Sequence, residues 1–388
     1  MDQVQFSKEE LERYSRHLII PEFNIEGQRK LKAARVLVVG SGGLGSPLLL
    51  YLAAAGVGTL GIVDFDVVDD TNLQRQVIFS VEDVGQPKVE AAKRRLQALN
   101  PYIRINTYNV PLTSENALAI IKDYDLVADG TDNFSTRYLV NDACVLLDKP
   151  NVYASIFRFE GQASVFNYRD KNGQLGPNYR DLYPTPPPPD LVPSCAEGGV
   201  IGVLPGIMGT LQANEVIKVI SGVGEPLSGR LFVFDAASFE TRVLKIRRNP
   251  HNPINGENPT LKGLIDYQAF CGIPGQNDEE QAQVKLVDVH KLQELIRTNT
   301  DFQLIDVREP YEYEIANLAG ELIPLGSIEE NVNKIASHKP VVLHCRSGKR
   351  SAKAIKLLEE KYGFTNLYNL RGGILAWADE VDLSMAKY

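Results

Sequence analysis

The run Arg35-Val-Leu-Val-Val-Gly40-Ser-Gly42-Gly43-Leu-Gly45 restricts this chain more than any other stretch. Its apolar, β-branched half reads as a buried strand. Gly40, Gly42 and Gly45 then fit G-x-G-x-x-G, and residues 44–55 continue as an apolar helix. A strand that enters a helix through such a turn belongs in a parallel sheet covered on both faces. The glycines let backbone amides approach a phosphate at the positive end of the helix dipole. Asp64 closes the next strand (59–64), 24 residues after Gly40, where an acid can bond a ribose hydroxyl. The alternation continues with a helix over 87–99, a strand over 124–129 and a helix over 135–147. Short strands follow around 163–168 and 230–235, with a helix over 207–221 between them. The pattern predicts an α/β fold with a mostly parallel sheet.

Two stretches interrupt it. Residues 176–193 carry seven of the chain's 22 prolines and must be extended and largely non-helical. Residues 249–283 are rich in Asn, Pro, Gly and acids and read as an interdomain linker. Strand–helix alternation resumes from Val284, with strands over 302–307 and 341–345 and a helix over 351–361. At 388 residues the chain suits two or three domains of ~150 residues. The expected division is a domain over 1–250, a linker over 251–283 and a smaller α/β domain over 284–388.

Lysine and arginine total 41 against 49 acids, for a net charge of -8. That argues against direct nucleic-acid or anionic-membrane binding, both of which need a positive surface. The four cysteines, Cys144, Cys195, Cys271 and Cys345, are 51, 76 and 74 positions apart. No pair has zinc-knuckle spacing, and so sparse a set is no disulfide framework. The polar N-terminus is no signal peptide, and no apolar run suits a bilayer span, so a cytoplasmic protein is expected.

Around the glycine turn the side chains redirect the argument. Asn72-Leu73-Gln74-Arg75-Gln76 follows Asp64, Gly85-Gln-Pro-Lys88 opens the next helix, and Gly130-Thr-Asp132-Asn133 follows a strand. Carboxyl ends of parallel strands are where open α/β sheets bind ligands, so Arg75, Lys88 and Asp132 should converge with the turn. A dinucleotide dehydrogenase has little use for two cations and another carboxylate there. A triphosphate attacked at its α-phosphorus does: cations neutralise the transition state, and a carboxylate holds magnesium. ATP is the better ligand.

Arg13-Tyr-Ser-Arg16-His17, the glycine turn and these three motifs occur in order over roughly residues 8–248. In that combination the segment closely resembles the ubiquitin-activating-enzyme superfamily, specifically adenylyltransferases of the MoeB and ThiF type, with a Rossmann-like adenylation domain. The resemblance implies that Gly43, Asp64, Thr71, Asn72, Leu73, Gln74, Arg75, Lys88, Asp132 and Asn133 bind ATP with Mg2+, Asp132 holding the metal through the nucleotide. It implies a homodimer in which Arg16 reaches the partner subunit's site. It also implies a substrate: the C-terminal glycine carboxylate of a ubiquitin-fold sulfur carrier ending in Gly-Gly, activated as an acyl-adenylate.

Cys195 lies in Pro193-Ser-Cys195-Ala-Glu-Gly-Gly199, directly after the proline-rich stretch. A thiol beside such a loop can approach the adenylate and take the acyl group from AMP. In the resembling family this position carries the sulfur-linked intermediate; whether that intermediate is obligatory stays open. Many relatives hold a structural zinc with two C-x-x-C pairs. The matching positions here are Asn178, Asp181, Asn252 and Asn255, so no zinc is expected. Cys144, on an apolar helical face, reads as core, and Cys271 has no evident role.

The last domain carries its own nucleophile in His344-Cys345-Arg346-Ser347-Gly348-Lys349-Arg350-Ser351. A cysteine at a helix N-terminus among three cations favours the thiolate, and successive amides form a nest for a thiolate or persulfide. Phosphatases of the cysteine type need arginine six positions on, where Ser351 stands. With residues 305–313 and Leu370-Arg-Gly-Gly373-Ile-Leu-Ala-Trp377, the stretch resembles a single-domain rhodanese. By that resemblance Cys345 carries a persulfide taken from thiosulfate or a protein donor. Activation and sulfur delivery in one chain imply a carrier thiocarboxylate, made for molybdenum cofactor or a related sulfur-dependent pathway. The competing readings are an adenylyltransferase whose rhodanese module only docks partners, a non-catalytic scaffold, and a dinucleotide-dependent oxidoreductase.

Overall fold

Alternate residues of strand β1 (Arg35–Val39) enter two different cores. Val36 and Val38 pack with Leu48, Leu52 and Val89, whereas Leu37 and Val39 pack with Tyr138, Val140 and Tyr153. Burial on both faces is why the strand is apolar without alternation. The computed structural model describes residues 4–187, 198–272 and 284–388. Within it the chain forms two compact units, Met1–Ile273 and Pro274–Tyr388.

The first unit adds β2 (Thr59–Val63), β3 (Arg104–Tyr108), β4 (Leu126–Asp129), β5 (Asn151–Phe157), β6 (Glu160–Phe166), β7 (Arg230–Asp235) and β8 (Glu240–Lys245). They make one eight-stranded sheet in the order β3-β2-β1-β4-β5-β6-β7-β8. The pairs from β3 through β5 are parallel, and those from β5 through β8 are antiparallel. Chain order reverses between β1 and β4, which opens a crevice at the carboxyl ends of those two strands. Helices Gly45–Ala55, Lys88–Leu99 and Leu204–Ser221 contribute to one core and Phe134–Leu146 to the other.

Several elements escaped the sequence pattern for identifiable reasons. β3 is an edge strand with one buried residue, and all six residues of β8 are exposed, so neither shows an apolar signal. Helix Leu204–Ser221 starts three residues earlier than expected, with Pro205 in its first turn, where a missing N–H costs nothing. The proline-rich stretch is not wholly extended: Tyr179–Leu182 forms a helical turn capped by Asn178.

Residues 251–272 fall in the stretch read as linker, whose apolar piece 264–270 is open to docking on the first domain. They pack on the first unit. Tyr267 and Cys271 lie in the core beside Tyr138 and Tyr179. Helix Tyr267–Phe270 is capped by the Asp266 side chain, and the Tyr267 hydroxyl donates to Asp142 Oδ2 at 2.7 Å. Asp142 also receives Arg180 Nε at 2.8 Å and Nη2 at 2.7 Å, both partners being buried. The guanidinium stacks on the rings of Tyr138 and Phe270. Polar composition hid this because the polar atoms are used internally.

The side chains of Asn178, Asp181, Asn252 and Asn255 are hydrogen-bonded to one another. Asn178 Nδ2 donates to Asn255 Oδ1 at 2.9 Å, and Asn252 Nδ2 donates to Asp181 Oδ1 at 2.6 Å and Asn178 Oδ1 at 3.2 Å. The backbone N–H of Asn249 also donates to Asp181, at 2.9 Å.

The second unit is a five-stranded parallel sheet in the order β11-β10-β12-β13-β9. Its strands are β9 (Leu286–Val287), β10 (Gln303–Asp306), β11 (Glu321–Leu322), β12 (Val341–His344) and β13 (Leu367–Leu370). The fully buried β12 runs straight into Cys345. Among the described residues no helix is long and apolar enough to cross a membrane.

Asp142→Ala should strand the Arg180 guanidinium without a counter-charge and lower stability by ~3–5 kcal/mol. Urea unfolding followed by circular dichroism checks this; a loss under ~1 kcal/mol contradicts the clamp described here.

Candidate functional site

Gly40, at φ +88°, carries the chain out of β1 beside Gly130, and the two backbones nearly touch. A Cβ on Gly45 would lie 2.0 Å from the Gly40 carbonyl oxygen, so only glycine admits the helix this close to the strand end. Ser41 donates its backbone N–H and its hydroxyl to Asp64 Oδ2, each at 2.8 Å. Asp64, expected to meet a ribose, therefore also pins the turn.

The segment 69–76 comes to the turn. Asp69 caps the short helix Asp70–Asn72 by accepting from Thr71 and, reciprocally, Asn72 accepts the Asp69 N–H. Arg75 Nη1 donates to the Thr71 carbonyl at 3.1 Å, and the Arg75 side chain lies against Gly43. Gln76 is buried beside Gly42. On the other side Gly202 packs on the Gln74 backbone, and Pro205 on Gly43. Leu73 packs against the first core, while Thr71 and Gln74 are exposed.

Lys88 is buried, and its ammonium donates to Asp66 Oδ2 at 2.8 Å. Asp66, which the sequence reading missed, thus holds this cation near the carboxyl end of β2; its only signal was proximity to Asp64. Asp132 is exposed after β4. Asn133 caps helix Phe134–Leu146, its Oδ1 accepting the Thr136 N–H at 2.9 Å. Asp129, also missed, ends β4 fully buried. Its Oδ1 accepts from Thr131, and Oδ2 has no hydrogen-bond partner. Burial pushes this carboxyl up, opposed by Thr131 and Arg137.

The structure therefore brings Gly43, Asp64, residues 71–76, Lys88 and the 129–133 turn to one end of the sheet. Arg16 is exposed on the short helix Ser15–Leu18, which packs on helix Asn24–Ala33, so it is not among them. Cys195 lies outside the described residues. Cys144 is buried in the core, where burial drives its thiol well up, and burial pushes Cys271 up to about 11. Both suit packing rather than nucleophilic work. Among the described residues, no group of three or more His, Cys, Asp or Glu could hold a metal ion.

In the second unit the loop after β12 wraps Cys345. Its Sγ accepts the Gly348 N–H at 3.2 Å, with the Ser351 hydroxyl at 3.5 Å. Gly348, at φ +93°, caps helix Lys349–Tyr362. The loop is held from behind by helix Gly373–Glu380: Ile374 N–H donates to the Cys345 carbonyl at 2.9 Å and Leu375 N–H to Arg346 at 3.1 Å. Arg350 grips Glu312 through two 2.6 Å bonds. Burial alone would raise the Glu312 carboxyl, but the Arg350 guanidinium, the Glu309 N–H and Arg308 together hold it below its ordinary value. Beneath the loop, buried Arg308 donates to Asp306 at 2.9 Å, and His344 Nε2 lies 3.7 Å from Asp306. Ser347 and Arg346 are half-buried and Lys349 is exposed, so this rim carries positive charge in an acidic chain.

These geometries define two enzyme classes in one chain: a Rossmann-like adenylating unit and a parallel α/β unit with a cysteine in an anion-binding loop. Residues 14–254 match the ThiF family and residues 288–380 the rhodanese-like domain, and the chain belongs to the ThiF family. Over 385 residues it is 49% identical to the probable adenylyltransferase/sulfurtransferase MoeZ of Mycobacterium tuberculosis, covering 98% of this chain and 96% of that protein. Over 270 residues it is 55% identical to the sulfur carrier protein adenylyltransferase of Thermus thermophilus, covering 70% of this chain and 100% of that one. Adenylyltransferase and sulfurtransferase MOCS3 of Danio rerio is 40% identical over 412 residues, covering 99% and 89%. Among solved structures, Escherichia coli MccB with ATP shares the fold at 24% identity and a TM-score of 0.55, covering 63% of this chain and 74% of that one. The chain is accordingly an enzyme, an adenylyltransferase and a sulfurtransferase.

Burial lowers His344 from 6.5 to about 4, with Asp306 opposing. Between those values the unfolded chain binds a proton that the folded chain refuses. Stability is therefore full above pH 6.5 and falls as pH drops toward 4, by ~3 kcal/mol from this group. Trp377 is the chain's single tryptophan and reports this unit. Its melting temperature should fall between pH 7 and ~4.5 more steeply in the native chain than in His344→Gln. Equal slopes contradict the assignment.

Proposed function

We propose that the chain activates the C-terminal glycine carboxylate of a ubiquitin-fold sulfur carrier with ATP and Mg2+, then replaces the AMP with sulfur carried on Cys345. The observation that supports it best is the joint placement of the glycine turn, Arg75 and Lys88 at the carboxyl end of a parallel sheet. The carrier carboxylate attacks the α-phosphorus. The bond to pyrophosphate breaks, and Arg75 and Lys88 neutralise the departing charge. Asp132 would hold Mg2+ together with the nucleotide; its exposed carboxylate beside the turn fits a hard oxygen-ligated cation. Gly43, Asp64, residues 71–74 and Asn133 line the nucleotide. Arg16, exposed in its own subunit, is proposed to act in the partner of a homodimer.

In the second unit the Cys345 thiolate attacks the outer sulfur of thiosulfate, or of a persulfide donor. With thiosulfate the sulfur–sulfur bond breaks, and sulfite leaves with the electron pair. Amides and cations of residues 346–350 stabilise the resulting persulfide anion. Its terminal sulfur attacks the acyl carbon and displaces AMP, or displaces the Cys195 thiolate where that thiol has first taken the acyl group and released AMP. Two equivalents of a cellular thiol then reduce the acyl disulfide and leave as their own disulfide, which releases the thiocarboxylate and the Cys345 thiolate. Cys195 stands three residues before Gly198, and the chain that follows packs on Gln74 and Gly43. The thiocarboxylate would serve molybdenum cofactor or related biosynthesis in the cytoplasm. No zinc is proposed: oxygen and amide groups at 178, 181, 252 and 255 already bond to one another.

Paired substitutions test the division of labour. Cys345→Ala should keep carrier-dependent ATP–pyrophosphate exchange and lose sulfur transfer, whereas Asp132→Ala should lose both by ~100-fold or more. If Cys345→Ala abolishes both while circular dichroism is unchanged, the two units do not divide the chemistry in this way.

A further inference from the structure

The chain beyond helix Gly373–Glu380 returns to the cysteine loop. It turns at Asp382, whose Oδ1 accepts the Ser384 N–H at 3.1 Å and hydroxyl at 2.6 Å. It then brings Tyr388 between two guanidinium groups. The Arg308 and Arg346 carbons lie 5.7 and 5.8 Å from the ring centroid. The phenol hydrogen-bonds with Arg308 Nη1, and it reaches Glu312 Oε1 at 3.3 Å. The Tyr388 carbonyl oxygen accepts Arg346 Nε at 2.5 Å.

Each of these partners is tied to the cysteine. Arg346 is the next residue, Glu312 holds Arg350 of the same loop, and Arg308 braces Asp306 beneath His344. Tyr388 thus occupies the cations that an anionic sulfur donor would need. Cys345 itself is only 1% exposed. A sulfurtransferase must be loaded from outside, and widening the approach to so enclosed a residue means moving what is seated on its loop.

We propose that Tyr388 is a lid on the cysteine loop, seated on Arg308, Glu312 and Arg346, and that its departure exposes Cys345 and frees Arg346 for an anionic sulfur donor. The inference rests on the reading of Cys345 as sulfur carrier. Residues 381–388 lie outside any strand or helix, so the Tyr388 contacts can part without unfolding an element. With the lid seated, the thiol is shielded from adventitious alkylation and oxidation; with it open, the vacated guanidinium draws the donor.

Alkylation of the full chain by iodoacetamide, followed at Cys345 by peptide mass spectrometry, tests the lid without requiring sulfur transfer. Tyr388→Ala should raise the rate at Cys345 about fivefold or more, the factor expected when one ordinary hydrogen bond is lost from a closed state. Buried Cys144 serves as the internal control and should not change. Tyr388→Phe keeps the ring and loses the phenol bonds, so its rate should fall between the two. That comparison decides the matter if the alanine variant does not fold by Trp377 fluorescence. Unchanged Cys345 rates in the folded variants overturn the lid. Sulfur transfer from thiosulfate to cyanide separates the two claims: faster alkylation of Tyr388→Ala with no transfer in any variant supports the lid and refutes the sulfur-carrier role of Cys345.

Discussion

A Cβ at Gly45 would lie 2.0 Å from the Gly40 carbonyl oxygen, and one at Gly373 would lie 2.5 Å from that of Cys345. Backbone therefore meets backbone directly at both sites, and the rest of each site follows from that approach. In the first unit it sets helix Gly45–Ala55 against the end of β1, so the amides of the turn face the crevice between β1 and β4. In the second it lets helix Gly373–Glu380 bind the Cys345 and Arg346 carbonyls, while on the other side of the loop the Gly348 N–H meets Sγ. A parallel strand ending in a tight turn serves phosphate chemistry in one unit and sulfur chemistry in the other.

The charge arrangement follows the same economy. A net charge of -8 gives no hint of local positive demand, yet each site gathers cations against its turn. Those cations are not left bare: Lys88 is held by Asp66, Arg350 by Glu312 and Arg308 by Asp306. Such pairing keeps a buried or half-buried cation in place until an anionic substrate arrives.

Much of this was legible in the sequence because it depends on short-range pattern. The β1 run, the glycine turn, the order of the Arg75, Lys88 and Asp132 motifs and the Cys345 loop all lie in contiguous segments. What escaped was long-range or carried by polar residues. In residues 251–272 the apolar piece 264–270 hinted at docking, but the polar partners did not: only the fold shows Asn252, Asn255 and Tyr267 bonding to Asn178, Asp181 and Asp142 across many residues. β8 has no buried face, so no periodicity could announce it. Asp66 and Asp129 were lost among nearby acids, since adjacency to Lys88 and burial at the end of β4 are properties of the folded chain. Tyr388 gave no signal at all, because its importance lies in where the chain returns.

The proposed function reduces to one chemical event, the exchange of oxygen for sulfur at a carrier's C-terminus. Mass spectrometry of Gly-Gly-ended ubiquitin-fold carriers, incubated with the full chain, ATP, Mg2+, thiosulfate and a thiol reductant, reads that exchange directly. The expected product is a carrier heavier by ~16 Da, the oxygen-to-sulfur difference, whose formation requires both ATP and Cys345. Unmodified termini across a full carrier set, with protein that is active in pyrophosphate exchange, would contradict it.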